Sequence, residues 1–240
     1  MSNSTPLADF LDDPKNSTSR ERLLAHRLIY ELKLASARAG VDLRVYEPDV
    51  DRDGFDLVLE SEDALRKVQT KVVQQDATTN SWCIHKGFLR PDPWFSEHHG
   101  LHPTVAGAGM NGAILVMDLA YPHDELQVTY RYFDMFVLTA RELALAPSGA
   151  ANEKKILPFL SELSADPLRG RISVPSWMFV RVKDTDALLS LLGMYSLRGT
   201  HWQHILRNAA ASYRGLPDAQ GEYQGWHRAA EEEIASLTLL

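Results

Sequence analysis

Asp56, Gln69 and Lys71 stand on two short β-rich runs, Phe55 to Glu60 and Lys67 to Val72, that are otherwise mostly apolar. A carboxylate and a carboxamide oxygen are hard donors of the kind magnesium accepts. An ammonium beside them can orient a water molecule or relieve negative charge on a reacting group. If the runs pair as a hairpin closed by residues 61 to 66, residue 60 faces 67 and Asp56 lies opposite Lys71. Side chains alternate across a strand, so Phe55, Leu57 and Leu59 meet Val68, Thr70 and Val72 on a core face, and Asp56, Val58 and Glu60 meet Lys67, Gln69 and Lys71 on the other. The plain alternative is a solvated face carrying an ordinary Asp–Lys pair, worth roughly 0 to 1 kcal/mol.

A fourth group, an acid, belongs to the helix that precedes the hairpin. Leu24, Leu28, Leu32, Ala35 and Ala39 recur at helical spacing over Arg20 to Ala39, and Gly40 stands where the helix would stop. Glu21 falls on the stripe that faces the core, where a charge needs a partner. A metal ion would be one. Thr18-x-x-Glu21 also fits a capping box, in which Glu21 reaches back to the helix start. Glu31, at the edge of the same stripe, is the fallback acid.

Gly54-Phe55-Asp56 followed by Val68-Gln69-Thr70-Lys71 resembles the motif of the PD-(D/E)XK, or restriction-endonuclease-like, nuclease superfamily, with glutamine in place of the usual second acid. That Q-x-K variant occurs in Mrr-type restriction enzymes and related defence proteins. Glu21-Arg22-Leu23-Leu24 likewise resembles the opening of the first helix in archaeal Holliday-junction resolvases, where a metal-binding Glu sits. The resemblance spans about residues 20 to 72. It implies a central mixed sheet flanked by helices and a magnesium- or manganese-dependent hydrolysis of phosphodiesters, in DNA above all. Glu21, Asp56, Gln69 and the Thr70 backbone carbonyl would then hold the metal, with Lys71 as the catalytic amine. Glu21, Asp56, Gln69 and Lys71 are thus the expected catalytic set. The setting it implies is bacterial defence or repair, with nucleic acid as partner, and a homodimer or a defence-system protein beside it. A non-catalytic binding or interaction module that kept the fold is the alternative, made credible by Gln69.

The elements that must position these groups follow from the rest of the chain. Residues 1 to 18 read as a mobile arm, 19 to 148 as the nuclease-like α/β core, and 149 to 240 as a mainly helical C-terminal portion. Asp42 to Tyr46 precedes the hairpin as a third strand of a meander. Residues 73 to 111 read as loops around a short helix. Gly112 to Leu119 is an apolar run suited to a central strand, and Gln127 to Leu138 a strand ending in a helix-like stretch. Helices are expected around 156 to 163, 185 to 192, 200 to 213 and 222 to 237, and a strand at 177 to 182.

Other constellations are weaker. Glu97, His98, His99 and His102 lack the order of a zinc site, with Gly100 and Pro103 interrupting any helix. Cys83 and His85 are two apart and read as a half-buried thiol beside an unrelated imidazole. Gly107 and Gly109 lack the Lys-Ser/Thr of a phosphate loop. Asp118 and Asp134 close later strands and are outside chances for the metal. Arg198, His201, Trp202 and Arg207 mix cations and aromatics, as a nucleic-acid surface can. With 240 residues, 45% of them hydrophobic, the chain can bury one sizeable core. Its net charge of −7 advertises no global attraction for nucleic acid or anionic lipid, so such a partner must use a local patch. One cysteine excludes an internal disulfide, no apolar run suits a membrane span, and no basic-then-apolar leader opens the chain. A cytoplasmic protein is the expectation.

Overall fold

The computed structural model describes residues 5–48, 54–62, 64–74, 77–89, 112–146, 153–165, 170–194, 199–213 and 220–239. Helix α1 (Pro6–Asp12) and a short 3-10 turn lead into α2 (Ser17–Ala39). Strands β1 (Arg44–Tyr46), β2 (Leu57–Glu60) and β3 (Leu65–Val73) follow, then β4 (Ser81–His85), the single turn α3 (Lys86–Leu89), β5 (Ala113–Ala120) and β6 (Gln127–Phe133). Beyond them come α4 (Met135–Glu142), α5 (Glu153–Ser164), β7 (Arg171–Pro175), β8 (Val180–Val182), α6 (Thr185–Leu191), α7 (Gly199–Tyr213), α8 (Gln220–Leu237) and β9 (Thr238–Leu239).

Seven strands form one sheet in the order β1-β2-β3-β5-β6-β8-β9, and β4 pairs with β7 in a separate ribbon. The sheet is mostly antiparallel. Its exception is β3 with β5, which run parallel from Val68 opposite Ala113 to Val73 opposite Asp118. A parallel neighbour needs a long crossover, and β4, α3 and the residues up to 112 lie between the two strands. The expected α/β class, with a central mixed sheet flanked by helices, describes this arrangement.

Helix α2 buries Leu24, Leu28, Leu32 and Ala35 and ends at Gly40, whose φ of 70° is the left-handed conformation that a glycine adopts without cost. Along β5 the run Ala113 to Val116 is wholly buried, as a central strand covered on both faces must be. Tyr130 of β6 donates to Glu31 of α2 at 2.6 Å, which ties the helix to the middle of the sheet. On the opposite face Trp82 of β4 meets Phe179 edge-on, with ring centroids 4.8 Å apart.

Several expectations are corrected here. The stretch read as an arm carries α1, whose Leu11 is fully buried and whose Leu11 carbonyl accepts from Arg20 and, at 2.9 Å, from Gln74. Residues 73 to 89 hold the strand β4, missed because its partner β7 lies some ninety residues away, with Ser81 opposite Pro175. The strand expected at 177 to 182 is a 3-10 turn, Ser176–Met178, followed by the shorter β8. Within the mainly helical last third, β8 and β9 extend the main sheet.

The hairpin departs from its expected register. Glu60 pairs with Leu65 and Leu57 with Val68, so Ser61 to Ala64 closes the turn and the pairing is two residues tighter than a six-residue loop would give. A two-residue slip preserves the faces, whereas a one-residue slip would invert them. Inversion does occur at one point. The Val68 carbonyl accepts from the Asp56 N–H at 2.9 Å, although the ladder partner of Val68 is Leu57. Two residues thus oppose one, which is a β-bulge, and a bulge puts its extra residue on the same face as the next. Asp56 therefore joins Leu57 on the α2 face. Phe55 is thrown to the other face, where its ring centroid lies 4.6 Å from Lys67 Nζ.

Candidate functional site

The bulge aims the Asp56 carboxylate at Thr70. Asp56 Oδ2 accepts from the Thr70 backbone N–H at 2.6 Å and from Thr70 Oγ1 at 2.8 Å. Both bonds go to one oxygen, and among the described residues none goes to Oδ1. Because β2 starts at Leu57, opposite Val68, Thr70 has no ladder partner on that side. In a strand the N–H and C=O of one residue point to the same neighbour, so the Thr70 carbonyl also turns toward Asp56.

Around this pair opens a cleft of about 640 Å³ lined by Glu21, Asp56, Thr70, Lys71, Gln74 and Thr79, with Met117 at its base. Glu21 is exposed on the first turns of α2 and makes no hydrogen bond or ion pair among the described residues. Lys71 is likewise unpaired among them. The capping-box expectation for Glu21 does not hold, because α2 begins at Ser17 after Asn16 and Thr18 is already inside the helix. Three of the four expected side chains, Glu21, Asp56 and Lys71, thus share one cleft with Thr70.

Gln69 does not join them. It is 8% exposed, on the face opposite α2, and its Oε1 is buried without a hydrogen-bond partner among the described residues. The expected convergence of Asp56, Gln69 and Lys71 on one face is therefore corrected: Gln69 and Lys71 share a face by alternation, and the bulge carries Asp56 to the other. Lys71, long and near the end of β3, still reaches the cleft.

The fallback acid Glu31 is engaged elsewhere, accepting from Arg27 Nε at 2.8 Å and from Tyr130. Burial, reinforced by the bond to Glu31, pushes the Tyr130 phenol far above its ordinary range. Asp118 is held by Arg131, with Nε to Oδ2 at 2.6 Å and Nη2 to Oδ1. Asp134 is fully buried, caps α4 through the Val137 N–H at 2.8 Å, accepts from Tyr132 Oη at 2.7 Å and lies 3.8 Å from Arg66. Burial raises its carboxyl above the ordinary 3.8, against the pull of Arg66 and those hydrogen bonds. Neither later acid reaches the cleft.

Cys83 is exposed rather than half-buried, and His85 accepts from the Gly87 N–H through Nδ1, so the two form no nucleophile pair. Trp202 is 1% exposed and donates to the Ser190 carbonyl, while Arg207 stacks on Phe136 at 5.2 Å. Trp202 therefore belongs to the interior, while Arg207 is half-buried and lines a separate cleft with Arg66 and His204. Arg198, Glu97, His98, His99, His102 and the glycines 107 and 109 lie outside the described residues, as does the side chain of His201.

Sequence reasoning missed Arg20, Arg22 and Gln74, which also line the cleft. Gln74 directly follows the Q-x-K strand, and Arg20 and Arg22 flank Glu21, so proximity to the motif was the available signal. Among the described residues no group of three or more His, Cys, Asp and Glu side chains is placed to hold a metal, and no helix is long and apolar enough to cross a membrane. A magnesium site needs fewer, since one or two carboxylates with water and a carbonyl suffice. Glu21, Asp56 and Thr70 bring oxygen atoms of that chemical type to the lining of one cleft. Comparison with protein-family models, with curated proteins and with solved structures finds no match to this chain.

Proposed function

We propose that the chain is a divalent-metal-dependent nuclease of the PD-(D/E)XK type, acting on DNA, with its site in the cleft of Asp56, Thr70, Lys71 and Glu21. The observation that carries this reading is the Asp56 bulge: a carboxylate re-aimed out of the hairpin's alternation, held by Thr70 through one oxygen, beside a lysine that is unpaired among the described residues. A structural salt bridge needs no such arrangement, and Asp56 makes none among the described residues. The mixed sheet, with α2 laid against the strands that bear the motif, also supports the resemblance.

Magnesium or manganese would be held by Asp56, Glu21 and the Thr70 carbonyl, and would supply Lewis-acid relief of phosphoryl charge and a more acidic water. Thr70 fixes the Asp56 carboxylate in one rotamer, so little orientational freedom is lost on binding. Lys71 adds a mobile positive charge that can follow the oxyanion as it develops. Gln69 sits outside the cleft lining and leaves the site one negative charge poorer than a two-acid strand motif would. That placement favours the second reading, a module that binds nucleic acid without cutting it.

Cleavage of a plasmid and of single-stranded DNA, followed against magnesium and manganese concentration, separates the two. Metal-dependent nicking by the wild type, lost in both Asp56→Ala and Lys71→Ala, is the outcome expected. DNA binding that is equal in wild type and Asp56→Ala, with no cleavage by either at any metal concentration, rejects hydrolysis in favour of the binding module.

A further inference from the structure

The pairing registers place four residues in one row across the sheet: Lys71 lies opposite Val116, Val116 opposite Arg131, and Arg131 opposite Arg181. Residues directly opposite across a ladder share a face, so Lys71, Arg131 and Arg181 project to the same side. Neighbouring strands are about 4.8 Å apart, which sets the backbones of Lys71 and Arg181 about 14 Å from each other along the row.

Two arginines directly opposite each other repel unless an anion relieves them. Asp118 relieves Arg131, which it binds through both oxygens and which also stacks on Trp82 at 4.8 Å. Arg181 has no such relief. It is exposed, and among the described residues it has no carboxylate partner. It lines a second cleft, about 450 Å³, with Arg131, Asp118 and Thr129. Val73, Gln74, Ala77 and Thr79 line both this cleft and the one at Asp56, so the two adjoin along that segment. Gln74, tethered to the Leu11 carbonyl, stands at their junction.

We infer that Arg181 is a phosphate-binding subsite for the nucleic-acid strand whose reacting phosphate sits at Lys71, and that the groove past Gln74 and Thr79 carries the strand between them. This rests on the nuclease reading for its registration on Lys71, while the cationic end of the groove exists independently of cleavage. At the Arg181 end Asp118 is paired with Arg131. A strand entering there meets Arg181 as a charge unpaired among the described residues, as phosphate contacts that position without reading sequence require.

The test is equilibrium binding of a fluorescein-labelled single-stranded oligodeoxynucleotide in EDTA, where metal-dependent hydrolysis cannot run, as a function of salt. Each phosphate neutralised contributes about 0.7 to the slope of log K against log salt for single strands. Arg181→Ala should weaken binding several-fold and lower that slope by about 0.7, and Arg181→Glu should weaken it further. Arg228→Ala, an exposed arginine paired with Glu232 on α8, controls for net charge and should leave the slope unchanged. An unchanged slope in Arg181→Ala, or an equal change in Arg228→Ala, overturns the subsite. So does displacement of the strand by inorganic phosphate at the same phosphate concentration, which would mark an isolated anion site. Metal-dependent cleavage with an unaltered Arg181→Ala slope removes the subsite and leaves the nuclease reading standing. An altered slope in a chain that never cuts does the reverse.

Discussion

Replacing Thr70 by valine removes one of the two hydrogen bonds that hold the Asp56 carboxylate, the 2.8 Å bond from Oγ1, and keeps the side-chain volume and the backbone N–H bond. A hydrogen bond to a charged acceptor is worth about 1.5 to 3 kcal/mol, and both groups are half-buried, so about 1.5 kcal/mol is expected for this one. Asp56→Ala loses both bonds and leaves the Thr70 N–H without its acceptor, for about 3 kcal/mol. The hydroxyl bond is counted in both single variants, so the double variant should cost little more than Asp56→Ala alone. The coupling is then about 1.5 kcal/mol, well above the roughly 0.5 kcal/mol within which independent sites add. Urea unfolding of the four proteins at one pH measures it, and Thr70→Val alone should lower Tm by about 3 to 6 °C at this chain length. Additive costs would mean that the carboxylate and hydroxyl are not in contact, and the bulge would lose its role in aiming Asp56.

Three further outcomes follow from the same contacts. Glu21→Gln should weaken manganese binding, read by the paramagnetic relaxation of water, whereas Glu31→Gln should leave it unchanged and cost about 1 to 3 kcal/mol of stability through its buried Tyr130 partner; equal effects on the metal would remove Glu21 from the site. The Asp134 carboxyl titrates above its unfolded value of 3.8, so the stability it contributes is full below that pH and is lost as pH rises through the raised folded value. Asp134→Asn should flatten this part of the pH–stability curve, and an unaltered slope would contradict the burial assigned to it. At Gly112 an added Cβ would collide with the ring of the fully buried Phe88, so Gly112→Ala should destabilise by about 1 to 3 kcal/mol in urea titration, and a neutral result would place that ring elsewhere.

Local signals in the sequence located α2 well, because five apolar residues at helical spacing and a terminal glycine report one face and one end without reference to anything distant. Strands β2, β3 and β5 were legible for the same reason. Register was not. A turn closed by Ser61 and Ala64 and a turn of six residues leave the same alternation on both strands, and only the hydrogen bonds distinguish them. The bulge is subtler, since two residues opposing one leave no mark in the hydrophobic pattern, yet it moves Asp56 from one face to the other and separates it from Gln69. Strand β4 did carry a signal, buried Trp82 and Ile84 alternating with exposed Cys83 and His85, but it is short, and its partner could not be found by proximity. The row from Lys71 to Arg181 depends on three successive registers across four strands, which no local reading can supply.

The residue types of the site were legible to the extent that Asp56, Lys71 and Glu21 meet in one cleft. Gln69 was the exception, because parity along β3 fixes it on the Lys71 face while the bulge takes the acid away. Its buried, unpaired Oε1 leaves a polar group for which the described residues provide no partner.

The most direct measurement is a crystal of the full chain soaked in manganese, with the ion located by anomalous scattering. The metal should lie in the cleft within coordination distance of Asp56 and the Thr70 carbonyl, with Glu21 as a further ligand direct or through water. Manganese absent from that cleft at saturating concentration, or bound without Asp56, contradicts the account.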